Sequence, residues 1–411
     1  MFDRTPRRRV RRLLPILFAV AALSSAAAPA ASSRSVELVW HWQQGDREDS
    51  RHADRLMNPA SVVKLATSLW ALEELGAEHR FTTRFATSGP LEQGVVRGDL
   101  VVLGGGDPDF HLENAQLVVA ELRRAGVRRV EGTLYVDDAF WIGWEGGSEG
   151  TLEDPQARAE KMAARLSKAW QPAEWSKGMR RAMEALRKER PEQVQFLELP
   201  VGAVAGLPPE GLEVAPLVEH RSNPLKRMLK RFNDYSNNDI ERLGHHLGDA
   251  EAMTAYFRKR WAGEEPSFAS LSGLDRNRMT PRQVIRLLKE LEEAATKAEL
   301  TLGDLLPVIG CGRTTLRNYP GLAFPAGSLT GKTGTLVKTD GGVVALAGVI
   351  DAAAGPVRFF VAAPGTGARK DLGRDAQVRW LDSRMRGWKP RASDQCSESW
   401  LSYTGAAVGR P

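Results

Sequence analysis

The stretch from Gly327 to Ile350, GSLTGKTGTLVKTDGGVVALAGVI, constrains this chain more than any other. Most of it is β-branched or small, and a Gly-Gly pair divides it, so it reads as one strand, a tight turn and a second strand. A strand here excludes what Gly-Lys-Thr first suggests. A phosphate-binding loop needs a glycine where Ala326 stands, and Gly327 comes one residue too late. Such a loop also opens a helix, so that free amides and the helix dipole face the anion. Lys332-Thr333-Gly334-Thr335 therefore lies on or beside a sheet edge. A strand-borne Lys and Thr can bind a carboxylate there, with Gly334 letting a substrate backbone approach. The plainer alternative is an edge lysine that deters aggregation.

The chain has 411 residues, enough for two domains and a real core. Its formal net charge of +6 misleads, because residues 1–31 hold six arginines against Asp3 and account for +5 of it. With about +1 left, the basic balance is no nucleic-acid footprint. Those first residues read as a secretory signal: a basic start, an apolar run from Leu13 to Leu23, and a small-residue zone around Ala28-Pro29-Ala30. The run is short for a permanent anchor. An exported protein follows, placed in the periplasm or another extracytoplasmic space. Cys311 and Cys396 are the only cysteines, which rules out a disulfide-dense scaffold and leaves a single bridge open. No metal-ligand spacing stands out: His245 and His246 are adjacent rather than a helical turn apart, so neither a metal nor another cofactor is expected.

SVELVWHW alternates as a strand, and GDREDSRHAD follows as a polar turn. SVVKLATSLWALEELG has helical spacing, with Asn58 as its N-cap, Pro59 near the first turn and Gly76 as its stop. FTTRFATSG, VVRGDLVVLGGGDPDF and RRVEGTLYVDDAFW are short strands, with a helix over LENAQLVVAELRRAG. From Glu153 to Gln193 the composition turns helical and charged, which reads as a solvated hairpin or lid. LKRMLKRFNDYSNNDIERLGHHLG is helical on both sides of a YSNN break, and TPRQVIRLLKELEEAATK is an amphipathic helix opened by Thr280-Pro281. The strand VRFFVAAPG and the helix DAQVRWLDSRMRGW lead to a polar tail read as loosely held.

Three motifs could carry chemistry. In Ser61-Val62-Val63-Lys64 the hydroxyl and the amine share one helix face. A serine needs a base to become a nucleophile, and a buried lysine with a lowered pKa can serve. The free amides of a first turn favour a developing oxyanion. Ser236-Asn237-Asn238 lies at a break between helices, where Ser236 can relay a proton and Asn238 can hold an amide; an ordinary helix cap is the alternative. Lys332-Thr333-Gly334-Thr335 is the third. Each is weak alone, but the three in this order resemble the Ser-x-x-Lys, Ser-Asp-Asn and Lys-Thr-Gly signature of penicillin-binding proteins and serine β-lactamases.

The likeness extends further. NPASVVKLATSLWALEELG, RGDLVVLGGGDPDF, VEGTLYVDDAFW, SNPLKRMLKRFNDYSNN, LSGLDRNRMTP, LPVIGCGRTTL and LTGKTGTL, in this order, resemble the class C low-molecular-mass penicillin-binding proteins, the D-alanyl-D-alanine carboxypeptidase/endopeptidases. The resemblance implies an α+β catalytic domain, an antiparallel sheet flanked by helices, with an inserted α/β domain. The parts expected are a catalytic first part over 32–80, an insertion over 81–216 (α/β over 81–145, charged helices over 146–195), a catalytic second part over 217–388 and a tail over 389–411. It also implies roles: Ser61 as nucleophile, Lys64 as its base, Ser236 as proton relay, Asn238 as holder of the substrate amide. Lys332 and Thr333 would bind the terminal carboxylate, and the amides of Ser61 and Thr335 would form the oxyanion hole. Peptidoglycan stem peptides are the implied partner and β-lactams the implied covalent inhibitors, with room for peripheral attachment to wall or membrane. Two patterns depart from the family's: Ser270-Leu271-Ser272-Gly273-Leu274-Asp275-Arg276 and Gly310-Cys311-Gly312-Arg313-Thr314. A β-lactam hydrolase shares this machinery but has no evident use for a large insertion. A catalytically weak wall-peptide binder on the same fold is the remaining alternative.

Overall fold

The structure, a computed structural model, describes residues 36–143, 154–189, 191, 194–394, 396–397 and 399–411; the expected signal over 1–31 lies outside them. Strand β1 (Val39–Gln44) alternates in burial as its sequence requires and pairs with β2 (Arg47–Arg51). That second strand is where a polar turn is expected. All its residues are exposed, so no apolar alternation marks it. A 3-10 turn, Ala60–Val63, runs directly into α1 (Lys64–Leu75). Then come β3 (Thr82–Thr87), β4 (Leu91–Glu92), β5 (Val95–Val96), β6 (Leu100–Leu103), α2 (Leu112–Arg124) and β7 (Arg129–Val136). The helices α3 (Pro155–Ala169) and α4 (Lys177–Glu189) precede β8 (Val201–Val204) and β9 (Ala215–Arg221).

The next segment is helical: α5 (Leu225–Tyr235), a 3-10 turn over Asn238–Leu243, α6 (Gly244–Leu247), α7 (Ala250–Arg260) and α8 (Pro281–Lys297). Thr280 and Gln283 close a capping box at the start of α8, with Pro281 in the first turn, as the Thr-Pro signal predicts. Last are β10 (Leu329–Leu336), β11 (Val343–Ile350), β12 (Val357–Pro364), α9 (Lys370–Trp388) and β13 (Ala407–Gly409).

Five strands form one antiparallel sheet in the order β10-β11-β12-β1-β2. Its middle is buried on both faces, which explains the unbroken apolar run VVALAGVI. Alternate residues serve two helix layers. Ala345, Ala347, Phe360 and Ala362 face the core shared with α1 and α8, while Val344, Leu346, Phe359 and Val361 face Trp380, Leu381 and Trp388 of α9. Strand β10 is the edge. Residues 307–309 pair with its first part, Ile309 donating to the Leu329 carbonyl and Gly331 to that of Pro307.

The second sheet runs β13-β9-β3-β6-β7-β5-β4, with β8 also on β7. Strand β9 spans the expected 216/217 boundary and pairs with β3. The charged helices are not a solvated lid. Ala159, Met162, Ala163 and Leu166 of α3 form a buried stripe at helical spacing against this sheet, and Trp170 is buried beyond them. In α4, Met183 and Leu186 pack with Trp175, Val194 and Tyr403. Small alanines carry much of the α3 stripe, so charge dominated the sequence pattern.

The tail is held rather than loose. Cys396 is bonded to Cys311, the Trp400 ring lies 4.3 Å from the Arg227 guanidinium, Tyr403 is buried, and β13 pairs with β9. The bridge closes a sequence separation of 85 residues. Replacing both cysteines by serine is expected to lower unfolding stability by about 4 kcal/mol, from the entropy returned to the unfolded chain. Urea titration of the two proteins checks this; coincident midpoints would refute it.

Candidate active site

The 3-10 turn before α1 puts Ser61 three residues before Lys64, with the lysine amine 3.3 Å from the serine hydroxyl. Ala60, just ahead of Ser61, has φ +50°, a left-handed backbone that costs a non-glycine residue about 1 kcal/mol or more. Asn58 helps to hold it. Its Oδ1 accepts from the Ala60 amide at 3.0 Å, and its Nδ2 donates to the Asp275 carbonyl and to Asp340. Asn58 thus acts three residues before the nucleophile, through a turn, rather than as the cap of a regular α-helix.

Two glycines let neighbouring backbone crowd this turn. Gly273 has φ +85°, and a Cβ there would lie 2.3 Å from the Ala60 carbonyl oxygen and 2.7 Å from the Ser61 Cα. A Cβ at Gly334 would lie 2.7 Å from the Pro59 carbonyl oxygen. The small residue at 334 is therefore needed first for packing β10 against the serine's turn, where the sequence suggests room for a substrate.

Helix α5 ends at Ser236, whose φ of +54° turns the chain so that Asn238 opens the next 3-10 turn. Both side chains then meet a lysine. Lys64 donates to Asn238 Oδ1 at 3.1 Å and to the Ser272 carbonyl. Lys332, on β10, donates to Ser236 Oγ at 3.0 Å and to the Thr333 carbonyl at 2.7 Å. Both lysine side chains are fully buried, at 0 % exposure. Burial pushes the Lys64 amine down to about 7, against the raising effect of Glu241 and Asp239. Lys332 is lowered well below its ordinary value by burial and by the charge of Lys64, with Asp234 opposing. Thr335, further along β10, lies 3.4 Å from the Arg374 guanidinium.

The fold thus gathers Ser61, Lys64 and Asn238 into one hydrogen-bonded group and Ser236 with Lys332 into a second, close enough for the Lys64 charge to act on Lys332, with Thr333, Gly334 and Thr335 following Lys332 along β10. A serine hydroxyl beside a lysine that can be neutral near pH 7 is a nucleophile with a base at hand. Glu241 joins these groups without having been singled out, while Ser272 and Gly273 belong to the Ser270–Arg276 run that departs from the family's pattern. Ser272 acts through its carbonyl and Gly273 through its missing side chain. Only the glycine, inside the Ser-Leu-Ser-Gly-Leu-Asp run, gave a sequence signal.

The sequence pattern of the D-Ala-D-Ala carboxypeptidase 3 (S13) family matches residues 21–159 and 206–384. A D-alanyl-D-alanine carboxypeptidase of an Actinomadura species is 42 % identical over 98 residues, 24 % of this chain and 18 % of that protein. The chain therefore spans less than a fifth of that relative's length. Among solved structures, a predatory endopeptidase of Bdellovibrio bacteriovorus in complex with an immunity protein superposes with a TM-score of 0.75 at 19 % identity, covering 91 % of this chain and 100 % of that one. Penicillin binding protein 4 of Haemophilus influenzae, complexed with a β-lactam, gives 0.64 at 19 % identity, covering 87 % and 97 %. At these identities the two structures speak for a common fold.

Proposed function

Because the chain belongs to the D-Ala-D-Ala carboxypeptidase 3 (S13) family, we propose that it is an exported serine DD-peptidase that acts on peptidoglycan stem peptides through an acyl-enzyme. The observation that carries this reading is the buried Lys64 amine 3.3 Å from the Ser61 hydroxyl, held near neutrality by its desolvation. Ser61 Oγ attacks the carbonyl of the penultimate D-alanine, and its proton passes to Lys64 Nζ. The amides of Ser61 and Thr335 receive the oxyanion. As the C–N bond breaks, Ser236 relays a proton to the leaving amine, supported by its contact with Lys332. Asn238 steadies both Lys64 and the substrate amide, while Lys332 and Thr333 hold the substrate's terminal carboxylate. Water then attacks the ester, with Lys64 again taking the proton, and frees Ser61.

The leaving amine is that of a terminal D-alanine or of a cross-bridge; both present the same bond to Ser61. β-Lactams would mimic that bond and remain on the serine as stable esters. Intact-protein mass spectrometry after benzylpenicillin treatment tests the reading, together with D-alanine release from a stem pentapeptide and cleavage of a cross-linked dimer. The expected result is one adduct, mapped to the peptide containing Ser61, and release of at least one product. A folded protein that takes no adduct and cleaves neither substrate would refute it.

A further inference from the structure

We propose that Glu241 is a positioning residue for Lys64, clamping the loop whose carbonyl holds the lysine amine. The Glu241 carboxylate accepts from two successive amides, Leu271 at 2.9 Å and Ser272 at 2.8 Å. The carbonyl of that same Ser272 accepts from Lys64 Nζ. One residue on, Gly273 lies so close to Ala60 and Ser61 that a Cβ would collide with both. A carboxylate bound to adjacent amides therefore fixes, through one peptide segment, the base on one side and the serine's turn on the other. Charge-assisted bonds to backbone amides are strong, and Glu241 reaches them from the 3-10 turn that Asn238 opens. Lys64, Asn238 and the 271–273 loop are thereby referenced to one short turn.

Glu241 also acts through space. Lys64 faces Glu241 and Asp239 from this turn and Lys332 from β10, with Ser61, Asn238 and the Ser272 carbonyl as its direct partners. Burial drives the amine down, and Glu241 is the larger of the two charges that resist. An amine driven too low would be neutral but a poor base, so the carboxylate keeps basicity as well as place. The inference rests on the acylation chemistry proposed above only for its kinetic arm.

The test compares wild type with Glu241→Gln and Glu241→Asp. In protein carrying 13Cε-lysine, the Lys64 signal is assigned by its loss in Lys64→Ala and followed from pH 5 to 10. In Glu241→Gln it is expected to titrate lower than in wild type by roughly half to one pH unit, since a charge favouring the ammonium is gone. The acid limb of benzylpenicillin acylation moves the same way, and its plateau falls about tenfold as the loop loosens. Glu241→Asp keeps the charge on a shorter arm, so the titration stays and only the plateau falls. An unmoved Lys64 titration in Glu241→Gln overturns the proposal, because that is what a merely structural carboxylate would give. If Glu241→Gln does not fold, a wild-type plateau in Glu241→Asp overturns it instead. The lysine titration needs no acylation, so a wild type that takes no penicillin would sink the peptidase reading and leave this one measurable.

Discussion

Replacing Lys64 by methionine is expected to slow penicillin acylation of Ser61 by about 10²–10⁴-fold, the range of a lost general base. The substitution suits the site sterically, since the lysine stem is fully buried and methionine fills a similar volume without a charge to desolvate. It leaves the Asn238 Oδ1 and Ser272 carbonyl without the donor they now share, at a cost of about 1–3 kcal/mol in stability. Circular dichroism at the assay temperature separates that cost from the chemical defect. The wild-type rate carries its own check. With the amine pushed down to about 7, Lys64 is mostly protonated below that pH and cannot accept the serine proton. Acylation should therefore rise with pH through a midpoint near 7 and then level off. Lys64→Met should lose this limb, and a mutant that retains both rate and limb would remove Lys64 from the mechanism.

Gly273→Ala is expected to reduce acylation by about 10²-fold, although residue 273 bears no reactive group. The positive φ already strains an alanine, and its Cβ would press on the Ala60 carbonyl and the Ser61 Cα, which are backbone atoms with little freedom to yield. The serine turn must shift by a substantial part of an ångström, enough to spoil attack geometry. A stability loss of about 1–3 kcal/mol accompanies it. Timed labelling with a fluorescent penicillin, on protein shown to be folded, checks the prediction. Wild-type kinetics would mean that the loop and the turn move apart at no cost.

Much of the site was legible because its chemistry lies in side chains at fixed spacing. Ser61 and Lys64 fall three apart, and the β-branched and small residues on both sides of a Gly-Gly turn mark Lys332 as strand-borne. What escaped has a common physical cause. The Ser272 carbonyl and the Leu271 and Ser272 amides are backbone features that any sequence supplies, so the fold alone assigns them a task. Strand β2 escaped because every residue in it is exposed. The α3 stripe escaped because alanines carry half of it among many charges. The tail read as loose because its anchors are scattered singly: Cys396, Ser399, Trp400 and Tyr403 each find a partner far away in sequence.

The partly covered edge of β10 sets a length scale for recognition. Residues 307–309 take the outward groups of Leu329 and Gly331, and strand alternation brings Thr333 and Thr335 to that same side. Lys332 already occupies the Thr333 carbonyl. A chain laid against this edge can thus be read by backbone over little more than a dipeptide before it meets a stop. Such a short ruler is indifferent to what lies further along the substrate. Under the proposed function, any preference among longer wall fragments would have to be written elsewhere on the molecule, on surfaces beyond the reach of these threonines.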